Sequence, residues 1–126
     1  MIKINELSKI GIGTYRMNSD NPQHKKSLKY AIESGINIID TASNYNYGKS
    51  EKLVGSIVNK NFRNEVFIIS KVGYIQGDDI KTVRESEGLE FLEFNKNFLF
   101  SIDPKFISFQ LKESMKRLNS DYIDCY

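Results

Sequence analysis

Short apolar runs alternate with longer amphipathic stretches along the chain, the pattern expected of βα units feeding a parallel sheet. Ile10-Gly-Ile-Gly-Thr-Tyr-Arg16 reads as a strand entering a glycine-assisted loop. Asn21-Pro22 predicts a helix start, with Asn21 as cap and Pro22 in the first turn. Over residues 23–34, Leu28, Ala31 and Ile32 recur at helical spacing on one face, and Gly35 supplies a left-handed end. Ile36–Asp40 reads as a second strand, apolar enough to be buried on both faces. The loop 41–49 precedes a second helix over 50–58, striped by Leu53, Val54, Ile57 and Val58. Glu65–Lys71 reads as a third strand. Asp103-Pro104 caps a third helix whose inner face is expected to carry Phe106, Ile107, Leu111, Met115 and Leu118, and Asp121–Tyr126 begins a fourth strand.

The interval from Val72 to Phe100 is too long for an ordinary βα loop. It mixes Asp78, Asp79, Lys81, Arg84, Glu85 and Glu87 with Leu89, Phe91, Leu92, Phe94, Phe98 and Phe100. It reads either as a lid over a site or as a peripheral insertion, and the phenylalanines argue against disorder. The expected fold class is therefore α/β: one domain over 1–126, about four parallel strands and three helices, with a long insertion after the third strand.

Composition narrows the function classes. The chain has 126 residues, of which 40% are hydrophobic and 27% charged, ordinary for a globular domain. A net charge of +2 implies no field strong enough to draw in nucleic acid or a membrane surface. The single cysteine, Cys125, excludes an internal disulfide. Its apolar neighbours suggest a small core residue. The N-terminal residues lack the apolar stretch of a signal peptide. No run reaches the ~20 apolar residues of a membrane span, so a cytoplasmic location is expected. No metal site is expected.

Active sites in α/β folds gather just beyond the C-terminal ends of parallel strands. Asp40 closes the second strand and Lys71 the third, and strands about 4.8 Å apart could bring this carboxylate and ammonium together. Tyr45 follows five residues after Asp40, in the loop arching over that mouth. A phenol is a weak acid at neutral pH. A buried ammonium, steadied by a carboxylate, would stabilise its phenolate and let it protonate a carbonyl oxygen. The same residues also admit structural roles: Asp40 as a loop cap, Lys71 as a solvated strand end, Tyr45 and Tyr47 as packing aromatics. A lysine at a strand end also fits a Schiff-base lyase or isomerase.

The segments Gly11–Arg16, Ile38-Ile-Asp-Thr-Ala42 with Tyr45 and Gly48-Lys-Ser-Glu51, Val66–Val72 and Leu118–Asp124 together resemble the aldo-keto reductases in order and spacing. The resemblance covers almost the whole chain except 75–101. It implies the N-terminal half of a (β/α)8 TIM barrel and reversible, NADPH-dependent reduction of aldehydes and ketones. It places the family's catalytic aspartate on Asp40, its proton-donating tyrosine on Tyr45 and its lysine on Lys71. It further implies that Gly13, Thr14, Tyr15 and Asp40 lie beside the nicotinamide of NADPH/NADP, and that Tyr15 and Tyr47 line the pocket for a small carbonyl substrate.

The chain also departs from that family. The catalytic histidine of the pattern falls beyond Tyr126, and His24 is expected to be a solvated surface residue. The half of the barrel that holds the cofactor phosphates has no counterpart, and Gly11-Ile-Gly13 does not extend to a dinucleotide-binding glycine fingerprint. Four strands cannot close a barrel, so open edges and an exposed inner face predict an unstable or homo-oligomeric chain, or one partly disordered after residue 118. A truncated, inactive reductase and a non-enzymatic half-barrel subunit both follow as expectations.

Overall fold

The computed structural model describes residues 2–58 and 62–126. Three short strands, β1 (Gly11–Gly13), β2 (Ile38–Asp40) and β3 (Phe67–Ile69), form a parallel sheet in that order. Gly13, Asp40 and Ile69 lie level across it. Helix α1 (Pro22–Glu33) connects β1 to β2, and α2 (Lys49–Ile57) connects β2 to β3. Asn21 caps α1 by accepting from the Gln23 amide at 2.9 Å, with Pro22 at the first helical position, because that position's N–H has no helical partner to lose. Gly35 follows at φ 91°.

The sheet has two unlike faces. Ile12, Ile39 and Ile68 point toward the helices and join Leu28, Leu53, Val54, Val58, Val66 and Leu118 in one core. Each such buried aliphatic contributes about 1.5–3 kcal/mol. On the opposite face Ile38, Asp40, Phe67 and Ile69 remain part-exposed. The second strand is therefore not buried on both faces, since among the described residues nothing packs across that side.

The expected fourth strand is only a single parallel bridge, Ile69 to Cys125, although the Cys125 amide donates to Ile68 and its carbonyl accepts from Ser70. The Cys125 side chain is exposed rather than buried, because it lies on the sheet's outer edge. Residues 119–124 are nonetheless docked. Arg63 and Asp124 form an ion pair at 2.6 Å with 7% and 2% side-chain exposure. Arg63 also donates to Ser120, Val66 and Tyr122 and stacks over the Tyr122 ring.

The interval after β3 is an ordered unit rather than a loop. It holds β4 (Tyr74–Ile75), α3 (Asp79–Glu85), β5 (Leu92–Asn95) and β6 (Phe98–Phe100), the strands pairing antiparallel in the order β4-β6-β5. Ile75, Val83 and Leu99 pack with Phe106 into a second core. Tyr74, Phe94, Phe98 and Phe100 form an aromatic row on the other face. This unit raises the number of α-helices to four among the described residues.

The last, α4 (Pro104–Leu118), is capped by Asp103, which accepts from the Lys105 amide. Its fully buried stripe is Phe106, Gln110, Ser114 and Leu118, whereas Ile107, Leu111 and Met115 are only half-buried. Polar Gln110 and Ser114 occupy core positions because Arg117 of the same helix, ion-paired with the buried Glu51 of α2, bonds both. Among the described residues no helix is long and apolar enough to cross a membrane.

Candidate active site

Asp40, Tyr45 and Lys71 meet at the C-terminal edge of the parallel sheet. Asp40 ends β2 level with Ile69, and Lys71 lies two residues beyond Ile69, so both side chains leave the same face of the sheet. The Lys71 ammonium donates to Asp40 Oδ1 at 2.8 Å, to the Thr41 carbonyl at 2.8 Å and to the Tyr45 hydroxyl oxygen at 3.2 Å. All three of its protons are thereby engaged. The ammonium also sits 4.8 Å from the Tyr45 ring centroid.

Lys71 is not the buried cation that the sequence suggested. Its side chain is 43% exposed and that of Asp40 is 40% exposed, because the inner side of the sheet is open. Partial burial pushes the ammonium's pKa down, yet the hydrogen bonds and charges of Asp40 and Tyr45 outweigh it, and the pKa stands raised above its ordinary 10.5. The group is thus held charged at neutral pH.

Tyr45 is presented by a strained turn. After it, Asn46 (φ 48°), Tyr47 (φ 55°) and Gly48 (φ 81°) all adopt left-handed backbone, which costs about 1–3 kcal/mol per non-glycine residue and persists only when neighbours enforce it. The enforcement comes from Asn46, whose amide donates to the Tyr15 and Met17 carbonyls at 2.9 Å and to Ser50 Oγ at 3.2 Å. Ser50 in turn donates to the Thr14 carbonyl at 3.0 Å. The loop after β1 and the turn bearing Tyr45 are therefore laced together. Asn46 did not stand out in the sequence; the left-handed tolerance of an Asn two residues before Gly48 was the available signal.

Thr14 is fully buried and bonds the Asp40 carbonyl through both its amide and its hydroxyl. Tyr15 is 65% exposed and meets the Tyr45 ring edge-on at 5.0 Å. Gly13 lies level with Asp40, and a Cβ there would have nothing within 4 Å. Gly13 and Tyr15 are exposed and Asp40 part-exposed on the open side beside Tyr45, whereas Thr14 lies beneath them with no exposed surface. Tyr47 is not brought to it. Its exposed ring turns toward Gly77 at the start of the insertion, as the left-handed turn dictates. His24 is tethered rather than free in solvent: its Nδ1 accepts from the Asn18 amide at 3.1 Å, and its Nε2 lies 3.3 Å from the Asn21 amide. Among the described residues no group of three or more His, Cys, Asp or Glu side chains is placed to hold a metal ion.

With this geometry in place, the kinship follows. The profile of the aldo/keto reductase family matches residues 9–126, and the chain belongs to that family of NAD(P)-dependent oxidoreductases. It is 30% identical over 121 residues to the uncharacterized oxidoreductase YqkF of Bacillus subtilis, covering 96% of this chain and 34% of that protein. It is 31% identical over 129 residues to the NADH-specific methylglyoxal reductase of Escherichia coli, covering 95% and 37%. The structure is similar to the holo form of an aldo-keto reductase from Bacillus halodurans, with TM-score 0.68 and 28% identity over 93% of this chain and 34% of that one. The chain therefore spans about one third, rather than half, of the length of the relatives it matches.

Proposed function

We propose that this chain carries the proton-donating side of a carbonyl-reductase site built on the first strands of a (β/α)8 TIM barrel. The observation that carries the reading is the Lys71 ammonium, 2.8 Å from Asp40 and 3.2 Å from the Tyr45 oxygen. Tyr45 accepts from Lys71, so its own proton is left to point into the open space bordered by Gly13 and Tyr15. A carbonyl oxygen seated there takes that proton. The ammonium, 3.2 Å away, stabilises the negative charge left on the phenol oxygen. Asp40 and the Thr41 carbonyl hold the ammonium still, so no reorganisation is needed as charge develops. In the reverse direction Tyr45 accepts a proton from an alcohol.

Gly13, Thr14, Tyr15 and Asp40 would hold the nicotinamide end of NADPH, with Tyr15 also facing a small carbonyl substrate. The cofactor supplies a hydride when bound. Two relatives are named for methylglyoxal, which makes that compound a suitable probe. A Schiff-base role for Lys71 is disfavoured, since such a lysine needs a depressed pKa and this one is raised.

The expected activity of the chain alone is nil, because the relatives' remaining length, including the phosphate-binding loops common in this fold, has no counterpart in these 126 residues. Adding NADPH should leave the melting temperature unchanged, as tight binding would raise it by mass action. Joined to the C-terminal two thirds of a full-length relative, the chain should turn over methylglyoxal with NADPH. Tyr45→Phe in that chimera should lower kcat by about 10²–10⁴-fold. Undiminished turnover would overturn the assignment. A second reading, a self-associating partial barrel, is favoured by the open sheet face and by Ile10, 66% exposed beside β1. It predicts concentration-dependent sedimentation of the chain alone.

A further inference from the structure

Behind the Lys71–Tyr45 pair lies a buried polar chain to which neither side chain belongs. Glu51, in the first turn of α2, is fully buried. Its Oε1 accepts from the Ser70 hydroxyl at 2.6 Å, and its Oε2 accepts from Arg117 Nε at 2.6 Å. Ser70 is 1% exposed and immediately precedes Lys71 at the end of β3. Glu51 stands at the start of the helix whose preceding turn presents Tyr45. One carboxylate thus joins the two elements that carry the paired groups.

The link continues outward. Arg117 donates to Ser114 Oγ at 3.2 Å and reaches Asp79, the first residue of α3, at 3.7 Å. Gln110, with its amide nitrogen toward Asp79 at 3.2 Å and its oxygen toward Arg117 at 2.7 Å, bridges the same two residues. The Arg117 side chain also lies over Gly48, where a Cβ would come within 2.9 Å of it. Burying such a pair is rarely the most stable solution, since apolar residues of equal volume often serve as well or better. What a fixed carboxylate adds is position: two strong charge-assisted bonds of defined direction.

We propose that Glu51 is a positioning residue, setting the placement of Lys71 against Tyr45 through Ser70 and coupling it to the seating of the 77–101 unit through Arg117 and Asp79. The proposal rests on the reductase reading for its chemical meaning, but its test does not. Lys71 Nζ bonds the Tyr45 hydroxyl, so the ε-methylene signal of Lys71 should carry a shift from that partner, identified by its loss in Tyr45→Ala.

In Ser70→Ala, which removes one hydroxyl, that shift should collapse toward the Tyr45→Ala value while the amide spectrum keeps its dispersion. Asp79→Asn, some distance from Lys71, should move the same signal in the same direction by less. A Lys71 signal that stays at its parental position in both variants overturns the proposal, whatever happens to the melting temperature. If Ser70→Ala loses dispersion, Ser70→Thr carries the test instead: with the hydroxyl retained it must hold the parental signal, and a displaced signal in a folded Ser70→Thr chain overturns the proposal. The reductase reading fails separately, on undiminished turnover of the Tyr45→Phe chimera.

Discussion

Gly55 offers a test in which two ordinary effects oppose each other. In an exposed helix interior, replacing glycine by alanine stabilises by about 1 kcal/mol. Gly55 lies inside α2 where that helix crosses the end of α4. A Cβ there would stand 2.5 Å from the Arg117 carbonyl oxygen and 2.8 Å from that of Leu118. These are backbone atoms, so no rotamer change relieves them. Comfortable contacts lie at about 3.5–4.0 Å, so the end of α4 must withdraw by about 1 Å. That displacement lifts Leu118 from the core it fills and stretches the Arg117–Glu51 bond. Overpacking costs about 1–3 kcal/mol. Added to the strained ion pair, this outweighs the propensity gain and leaves Gly55→Ala about 1–2 kcal/mol less stable. In a chain of this length the melting temperature should fall by about 3–8 °C. Urea denaturation followed by circular dichroism measures it, with Gly13→Ala as the control. A Cβ at Gly13 meets nothing within 4 Å, so that variant should match the parent in stability. A Gly55→Ala chain as stable as the parent, or more so, would refute the packing argument.

Asp124→Ala should cost about 3–5 kcal/mol, because it leaves the Arg63 guanidinium buried without its counter-charge. The double variant Arg63→Met, Asp124→Leu should recover most of that loss in the same urea assay, and strictly additive losses would contradict the pairing. The Asp103 carboxyl is held below its usual range by the amides of Lys105 and Glu90. Its contribution to α4 is therefore present above pH 3.8 and lost as pH falls through the lower, folded midpoint. Asp103→Ala should remove that part of the acid transition, and an unchanged acid limb would count against the cap. Lys71 runs the other way: its pKa is raised, so its small, half-exposed contribution is present below pH 10.5 and lost as pH climbs past the folded midpoint. Asp40→Asn should bring that alkaline loss to lower pH in a pH titration of stability, and no displacement would contradict the bond.

Much of this protein was legible from residue order. The spacing of Leu28, Ala31 and Ile32, the cap at Asn21 and the glycine at position 35 depend on local physics, and local physics placed α1. Asp40 and Lys71 could be paired because parallel strands put their C-terminal ends side by side, a property of the sheet rather than of this chain. Tertiary structure decided the rest. Whether the apolar residues of β2 are buried depends on what covers each face of the sheet, and among the described residues only one face is covered. Gln110 and Ser114 break the apolar stripe of α4, and no periodicity predicts that, because their partners Arg117, Glu51 and Asp79 come from three different helices. The interval after β3 folds as its own small sheet because Ile75, Leu99 and Phe106 meet across long sequence separations. The three left-handed residues after Tyr45 exist only because Asn46 finds carbonyls at Tyr15 and Met17. Sequence alone fixes what neighbouring residues do to one another. The height of a tyrosine above a lysine is set by contacts among segments that meet only when the chain has folded.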